Sequence, residues 1–448
     1  MKTIRLKKGL DIPISGAPEQ KIRPGNRIRQ VAIVGDDFPG MAPTLLVQAG
    51  DRVILGQQLF TDKKNPGVIF TSPGCGRVAA INRGAKRKFE SLVIELDGEE
   101  AVTFTVPLAR PDQLEPRAYR ELLIGSGLWT AFRTRPYGKT PAIGTDPASV
   151  FITAMDTAPL AASPQVIMNK YQAEYRFGLQ VLRRLFTVPI HYCTGAETLA
   201  PFEEVDGLDY WCFRGPHPAG LPSTHIHFID PVHENKSVWH IGYQDVIGIG
   251  HLFMTGRLPT DRIISLAGPG VLQPALVKTR IGASLQGLCR REVSLEELRI
   301  ISGSVLSGRE SQGNVAFLGR FHDQVSVIED SSGSSLFNWL APGWDRFSIR
   351  PVFASAYVRK KLFPLTTAMW GGKRVIFPLG TYEEVMPLDI IAVSLLKALA
   401  GGDTDKSKAL GCLELIEDDL GLCGFVCPGK NEFGESLRQV LTAIETGG

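Results

Sequence analysis

The most constraining stretch of the sequence is residues 28–100, where short apolar runs alternate with tight-turn residues. Val31–Val34, Val68–Phe70 and Ser91–Leu96 have strand length, and Gly-Asp or Pro-Gly pairs separate such runs. The apolar residues do not recur at helical spacing. The pattern predicts a compact module of short β-strands at the start of the chain.

Two linked motifs refine this prediction: Gly-Asp-x-Val-x-x-Gly-x-x-Leu from Gly50 to Leu59 and Ser-Pro-x-x-Gly-x-Val from Ser72 to Val78. This stretch resembles the biotinyl/lipoyl-type barrel-sandwich domain. Carrier domains of that type bear a modified lysine at a hairpin tip, and the candidate here is Lys63. Its spacing from Leu59 is too short to reach the tip, so an exposed turn lysine is the favoured interpretation.

Length and charge limit the remaining possibilities. The chain has 448 residues, and 49 Lys and Arg against 46 Asp and Glu leave a net charge of +3. At ~150 residues per domain, this length predicts about three domains. So small a net charge over this length argues against nucleic acid as a partner.

The sequence predicts neither a membrane span nor a disulfide framework. The most apolar stretches, 239–256 and 388–400, are interrupted by polar and charged residues, and the basic N-terminus lacks the apolar core of a signal peptide. We therefore expect a protein in the cytoplasm or on the cytoplasmic side of a membrane. Seven scattered cysteines in that setting indicate buried thiols.

The next part of the chain, to about residue 255, alternates strand and helix signals. Pro116 and Gly125 bracket a short helix, and Ser163-Pro164 begins a helix predicted to run to about Phe186. Further predicted elements are the strands Val150–Met155, Val188–Cys193 and Tyr210–Phe213 and the helix Gly242–Thr255. Strand, helix and strand in this order predict a βαβ unit with parallel pairing.

Residues 257–330 predict a small β-rich module, and helical periodicity follows it. The predicted strands are Ile263–Ala267, Ala275–Lys278, Val315–Leu318 and Val325–Ile328, with Leu285 and Leu288 on a short helix. Ser331–Ser335 is a predicted flexible joint. Beyond it, helical spacing recurs at Leu388–Ala400 and around Leu410–Leu422.

The α/β part lacks the glycine loop of a dinucleotide site. A Rossmann site needs Gly-x-Gly-x-x-Gly between strand and helix, but the residues after Val150–Met155 contain no such run. Gly125-Ser126-Gly127 is followed by bulky residues, and Gly248 and Gly250 fit close helix packing better. We expect a Rossmann-like arrangement of strands and helices without a phosphate-binding loop.

Histidines form a second signal, because seven of the eight lie between residues 191 and 251. His225 and His227 are predicted on one face of an extended strand, with Asp230, His233 and Glu234 shortly after. A zinc or iron site is one interpretation. Since no established metal-binding spacing occurs, core or interface histidines are favoured, and no metal ligand is assigned.

A third signal is Cys423-x3-Cys427-Pro428, which matches the end of the bacterial ferredoxin run. The two preceding cluster positions hold Glu417 and Leu420. Two thiolates cannot hold a cubane cluster, which needs four ligands. A redox pair is an alternative, but two buried thiols are the favoured interpretation.

Taken in chain order, these features resemble the A subunits of the sodium-translocating NADH:quinone oxidoreductase family over nearly the whole chain. The most specific stretches are 50–64, 71–78, 81–87, 132–136, 153–157, 224–228, 241–246, 278–282 and 427–430. The resemblance implies an α+β multidomain fold. Its parts are a barrel-sandwich domain (1–105), a degenerate Rossmann-like α/β domain (106–256), a β-grasp SLBB-like module (257–330) and a helical C-terminal domain with a ferredoxin-like remnant (331–448).

The resemblance also implies a role. The complex oxidises NADH, reduces ubiquinone and exports Na⁺. Its A subunit is the peripheral partner on the cytoplasmic face, docked chiefly on a membrane-embedded subunit. NAD, FAD, FMN and the iron–sulfur centre belong to partner subunits. This chain is expected to hold no tightly bound cofactor and no catalytic residue, and to contact ubiquinone near Phe38, Phe132 and Arg133.

One rival interpretation is a self-sufficient FMN- and NADH-binding dehydrogenase subunit, similar to those of complex I and the Rnf complex. Those relatives use a glycine-rich loop and four cluster cysteines. Here Gly127–Pro136 stands in place of the loop without its glycines, which argues against the rival. Another alternative interpretation, a lipoyl or biotin carrier protein, is supported by Lys63 alone.

Overall fold

The computed structural model describes residues 1–106, 115–196, 205–294, 297–331, 342–358, 360–369, 372 and 374–447. The strands in these ranges form sheets of six, six, four and three strands. None of the helices in the described part combines the length and apolar content that crossing a bilayer requires.

The first two strands belong to sheets that are built mainly from later residues. Strand β1 (Lys2–Arg5) pairs in parallel with residues 211–214, and β2 (Glu19–Pro24) pairs in parallel with residues 275–278. Both strands are largely exposed and lie at sheet edges. The N-terminal segment therefore connects two later parts of the chain before the first module begins.

The predicted β-module is confirmed. Its two small sheets have the orders β3-β9-β8-β5 and β4-β6-β7, and all pairings are antiparallel. Gly50 and Gly56 both have positive φ, as the turns of the first motif require. The strands are β3 (Gln30–Val34), β4 (Pro43–Leu45), β5 (Arg52–Val53), β6 (Gln58–Asp62), β7 (Ile69–Thr71), β8 (Gly76–Arg83) and β9 (Phe89–Leu96).

The α/β part contains a six-stranded sheet of order β1-β13-β12-β11-β14-β10, in which only β10 is antiparallel to its neighbour. The predicted parallel pairing is thus confirmed. Its strands are β10 (Arg133–Arg135), β11 (Val150–Ala154), β12 (Ile190–Gly195), β13 (Asp209–Arg214) and β14 (Val238–Gly242). Its helices are α1 (Pro116–Gly125), α2 (Pro164–Lys170), α3 (Gln172–Leu185), α4 (Pro222–Ile229) and α5 (Tyr243–Thr255).

One predicted helix of this part is interrupted. The prediction of a continuous helix from Ser163 to about Phe186 was wrong, because the backbone of Tyr171 leaves helical geometry (φ −118°, ψ 40°) between α2 and α3. The break lets α3 start in a new direction against α5.

The third part is a six-stranded sheet of order β18-β17-β19-β15-β16-β2. Its later strands are β15 (Asp261–Ala267), β16 (Ala275–Arg280), β17 (Leu298–Ser302), β18 (Arg309–Glu310) and β19 (Gln324–Glu329), with the short helix α6 (Leu285–Leu288) between β16 and β17. The predicted strand Val315–Leu318 was wrong. Gly313–Val315 forms one 3₁₀ turn that starts at positive φ, and Phe317 makes only a single bridge to Ser284.

The C-terminal residues contain α7 (Thr381–Val385), α8 (Ala392–Ala400), α9 (Thr404–Ala409), α10 (Gly421–Val426) and α11 (Phe433–Thr446). The periodic stretch Leu388–Ala400 becomes helical only from Ala392. The stretch Leu410–Leu422 forms two 3₁₀ turns and the start of α10, not one helix. Most of the predicted joint Ser331–Ser335 lies outside the described residues.

Helices α3 and α5 pack at two glycines. A Cβ on Gly178 would lie 2.1 Å from the carbonyl oxygen of Val246, and a Cβ on Gly250 would lie 1.7 Å from that of Glu174. Neither helix can carry a larger residue there unless its backbone moves. The close packing predicted for Gly250 is therefore confirmed.

Replacing Gly250 with alanine should destabilise the fold by about 1–3 kcal/mol, although alanine is the better helix former, because the methyl group forces the two backbones apart. Urea unfolding of the purified chain measures this change. Gly144→Ala is the matched control, since nothing lies within 4 Å of a Cβ at that position. Equal unfolding midpoints for the two variants would contradict the packing argument.

Candidate functional site

Two neighbouring cavities lie at the junctions of these parts. One lies between the β-module, the α/β part and the third sheet, and the other lies between the α/β part, the third sheet and the C-terminal residues. The first, here called the apolar cleft, has a volume of about 80 Å³, and Phe38 is part of its wall. The second, here called the polar cavity, has a volume of about 180 Å³ and is lined in part by Arg133 and Phe321. The Phe321 ring stands 5.9 Å from that of Phe38 and 4.7 Å from the Arg133 guanidinium carbon, so it lies between these two residues.

Phe38 reaches the apolar cleft from the loop after β3. A 3₁₀ turn at Gly35–Asp37 ends with the Phe38 N–H donating to the Gly35 carbonyl at 3.1 Å. The ring is 7% exposed and meets the edge of Phe70 at 4.8 Å. Other apolar residues of the wall include Val34, Leu55, Leu128, Leu258 and Leu318.

Polar groups of the apolar cleft lie at a few points of its wall. The Thr71 hydroxyl donates to the Ser126 carbonyl at 2.8 Å, and the Thr130 hydroxyl donates to the Gly127 carbonyl at 2.8 Å. Arg320 adds a guanidinium group whose Nη1 donates to Asp245 at 2.7 Å. An apolar slot with a cationic donor can hold a planar, uncharged molecule that carries carbonyl oxygens.

The segment after α1 is filled by core side chains. Leu128, Trp129, Thr130 and Ala131 form a buried 3₁₀ turn. A Cβ on Gly127, which has positive φ, would lie 2.6 Å from the Thr71 hydroxyl. Gly127 thus permits the close approach of this segment to β7.

Phe132 and Arg133 are adjacent in sequence but point to different surroundings. Phe132 is fully buried and packs against Trp129, Phe186 and Trp239 at 5.5–6.1 Å. It lines neither cavity. Arg133 starts β10 and lines the polar cavity. The structure therefore places Phe38 and Arg133 on neighbouring cavities and Phe132 in the core.

The polar cavity contains a buried ion network. Arg262 pairs with Asp245 at 3.0 Å and with Asp323 at 2.9 Å, and Arg320 also pairs with Asp245. Burial opposes the ionisation of Asp245, but Arg320 and Arg262 outweigh it and hold the Asp245 pKa below its usual value. Among the described residues, no cation pairs with Asp156, and burial raises the pKa of Asp156 to about 7.

Comparisons with known proteins place the chain in a family. Three family models match it: the NqrA N-terminal barrel-sandwich hybrid domain over residues 4–97, the NqrA second alpha/beta domain over 114–258, and the NQRA C-terminal (SLBB) domain over 263–313. The A subunit of the Na(+)-translocating NADH-quinone reductase of Yersinia pseudotuberculosis is 52% identical over 446 residues, which cover 99% of this chain and 100% of that protein. The chain belongs to the NqrA family.

Other NqrA proteins give the same result. Those of Actinobacillus pleuropneumoniae and Photorhabdus laumondii are 51% and 52% identical, each over 99% of this chain and 100% of its own length. The family resemblance predicted from the sequence is confirmed, as is the N-terminal barrel-sandwich domain. A NAD⁺-reducing [NiFe]-hydrogenase structure matches 49% of this chain and 48% of its own at a TM-score of 0.35 and 11% identity, too weak a likeness to support an inference.

The histidine pair of this NqrA protein lies on a helix, so the predicted strand was wrong. Pro222 starts α4, and positions two apart on a helix face nearly opposite directions. His225 is buried against Phe213 and bonds the Ala219 carbonyl at 2.9 Å. His227 instead bonds Glu414 at 2.8 Å and accepts the Asp389 N–H at 3.0 Å.

Other histidines of this stretch contact different groups: His191 Nδ1 lies 3.5 Å from a carboxylate oxygen of Asp209, and His240 Nε2 lies 2.9 Å from Arg135 Nη1. His217 bonds the Thr157 hydroxyl at 3.1 Å, and burial lowers the His217 pKa to about 4. Within the described ranges, no three His, Cys, Asp or Glu side chains are grouped so that they could hold a metal ion. His217 and His225 are buried residues with hydrogen-bond partners of their own.

The two cysteines of the ferredoxin-like segment are buried free thiols, as predicted. Cys427 Sγ accepts hydrogen bonds from the Tyr382 hydroxyl at 3.1 Å and from Asn431 Nδ2 at 3.4 Å. At the two lost cluster positions, Glu417 pairs with Arg438 and Leu420 packs in the core. The segment is stabilised by packing and an ion pair.

Apart from Arg133, the residues that shape the polar cavity were not predicted from the sequence. Thr153 lies near the end of β11, Asp156 lies two residues beyond that end, and Phe321 lies in the loop before β19. Polar residues at the carboxyl end of a parallel strand were a usable signal for the first two. Lys63 is an exposed residue after β6 whose N–H donates to the Ala42 carbonyl at 2.8 Å.

Proposed function

We propose that this chain is the NqrA component of a Na⁺-translocating NADH-quinone reductase, an oxidoreductase complex that couples NADH oxidation and ubiquinone reduction to Na⁺ export. The observation that carries the proposal is 51–52% identity over the full length of proteins with that name. The chain contributes assembly and a quinone contact. It is peripheral, lies on the cytoplasmic face and docks chiefly on a membrane-embedded subunit.

The redox centres of such a complex belong to the partner subunits in this proposal. NAD, FAD, FMN and the iron–sulfur centre are held there, and this chain holds no tight cofactor. Two features support this division: the buried turn at Leu128–Ala131 fills the place of a nucleotide loop, and Glu417 and Leu420 replace two cluster ligands. The same features count against the rival, a self-sufficient FMN- and NADH-binding subunit.

The proposal includes the finer domain assignment. Strands β13, β12, β11 and β14 are neighbours in that order, which is the order 3-2-1-4 of one half of a doubly wound sheet and supports a Rossmann-like α/β domain at 106–256. The domains at 1–105, 257–330 and 331–448 keep their predicted boundaries. The last is assigned as helical, with the ferredoxin-like remnant at Cys423 and Cys427.

The apolar cleft is the proposed place of quinone contact. Phe38 offers an aromatic face, the other walls are mainly aliphatic, and Arg320 provides a donor for a quinone carbonyl oxygen. Arg133 is close by, across Phe321. The ring of Phe132 is enclosed by Trp129, Phe186 and Trp239, so Phe132 does not contact the quinone directly in this proposal. It remains a candidate only because it holds the adjacent Arg133 in place.

Purification through this chain tests its place in the complex. An affinity tag placed after α11, where Glu445–Gly447 are partly or fully exposed, should bring down Na⁺-stimulated NADH:ubiquinone activity from detergent-solubilised membranes. The control is the same preparation without the tag. Elution of the chain alone, with the activity left behind in the membrane extract, would refute the assignment.

Phe38→Leu should raise the KM of the purified complex for a short-chain ubiquinone about tenfold and leave the KM for NADH unchanged, because only the aromatic contact is lost. Phe132→Leu is the matched control. It should lower thermal stability, since Phe132 is fully buried, without changing the quinone KM. A larger increase of the quinone KM in Phe132→Leu than in Phe38→Leu would contradict the placement of the quinone contact at the apolar cleft.

A further inference from the structure

The polar cavity lies at the carboxyl ends of two adjacent parallel strands. Thr153 of β11 is paired with Gly242 of β14, and Arg133 of β10 is paired with His240, two residues before Gly242. Because paired residues and alternate residues share a face, these four positions lie on one face of the sheet. All four line the cavity. The carboxyl ends of parallel strands are where open α/β sheets bind ligands.

Two buried polar groups of this face lack a partner among the described residues. The Thr153 side chain is 8% exposed, and its hydroxyl oxygen has no hydrogen bond. Nε of Arg133 is likewise buried without an acceptor. Buried polar atoms are nearly always hydrogen-bonded, so both groups point to an absent acceptor in the cavity.

The N-terminus of α5 opens on the same place. The 13-residue helix begins at Tyr243, and its N-cap is Gly242, which brings no capping side chain. Its first N–H groups have no acceptor within the helix, and the helix dipole adds partial positive charge there. A Cβ built on Gly242 would meet nothing within 4 Å, so an anion can approach the backbone closely.

The other ionisable groups of the lining allow an anion. Asp245 and Asp323 are engaged by Arg262, and Asp245 also by Arg320. The Oδ1 atom of Asp156 accepts a hydrogen bond from the N–H of Ala158. Burial raises the pKa of Asp156 to about 7, so its protonated form can donate a hydrogen bond to an oxyanion. Burial also lowers the pKa values of the three lining histidines, His217, His240 and His322. Asp418 is the remaining carboxylate of the lining.

We propose that this end of the sheet binds a phosphoryl group, either as free phosphate or as a phosphate monoester. The N–H groups at the start of α5, the Thr153 hydroxyl and the Arg133 guanidinium hold its oxygens. This site goes beyond the proposed quinone contact, because it recognises an anion and lies across Phe321 from the apolar cleft.

The test is a titration of the purified full chain in phosphate-free buffer with inorganic phosphate and, separately, with adenosine monophosphate. Calorimetry gives the affinity, and the rise in melting temperature with ligand concentration checks it. Saturable binding of either probe supports the site, and the tighter of the two identifies the source. Saturable binding of neither probe overturns the proposal.

The variant Gly242→Ala tests whether phosphate binds at the start of α5. Its backbone angles (φ −81°, ψ 154°) suit alanine, so the melting temperature without ligand should not change, while the new methyl group should weaken phosphate binding at least tenfold. Gly144→Ala, another glycine with open space, is the matched control and should bind as the wild type does. Wild-type affinity in Gly242→Ala would overturn the placement.

Two further variants separate the polar contacts. Thr153→Val keeps the side-chain shape but removes the hydroxyl, and should weaken phosphate binding about tenfold. Asp418→Asn removes a like charge and should tighten it. Wild-type affinity in Thr153→Val would exclude the Thr153 hydroxyl as a ligand, and unchanged or weaker binding in Asp418→Asn would contradict the placement of the phosphate near Asp418.

Discussion

The junction of the α/β part with the third sheet depends on one buried guanidinium group. Arg262, at the start of β15, pairs with Asp245 in the first turn of α5 and with Asp323 in the loop before β19. Loss of one partner of such a buried network leaves an uncompensated charge, at a cost of about 3–5 kcal/mol. Arg320 and Asp323 belong to this network and flank Phe321 in the sequence. The network therefore also positions the Phe321 ring, which stands between Phe38 and Arg133.

Much of the fold was predictable because it is local. The Gly-Asp and Pro-Gly turns, the helix from Pro116 to Gly125 and the parallel strands follow from turn chemistry and apolar runs that short-range contacts reinforce. The pairing of β1 and β2 with residues more than 200 positions later was not predictable, since exposed edge strands carry no apolar pattern. His225 and His227 were misplaced because Pro222 as a helix start outweighs the strand-like appearance of Ile226 and Phe228.

The candidate sites were predictable only in part, for a similar reason. Phe38 was identifiable as an aromatic residue in a tight loop, and Arg133 through the stretch that stands in place of a nucleotide loop. The partnership of Thr153 with Gly242 depends on which strands pair, which a single sequence does not show. The closed core around Trp129 and Phe132 is a property of the packed sheet, in which four aromatic rings meet within about 6 Å.

We propose that this NqrA chain keeps the fold of a dehydrogenase module but holds no redox centre of its own. The filled turn at Leu128–Ala131 and the Glu417–Arg438 pair are the structural basis for it. The most direct test is the visible absorption spectrum of the purified chain before and after dithionite. A colourless sample without a bleachable band is the predicted result. A flavin spectrum or an iron–sulfur shoulder would contradict the claim.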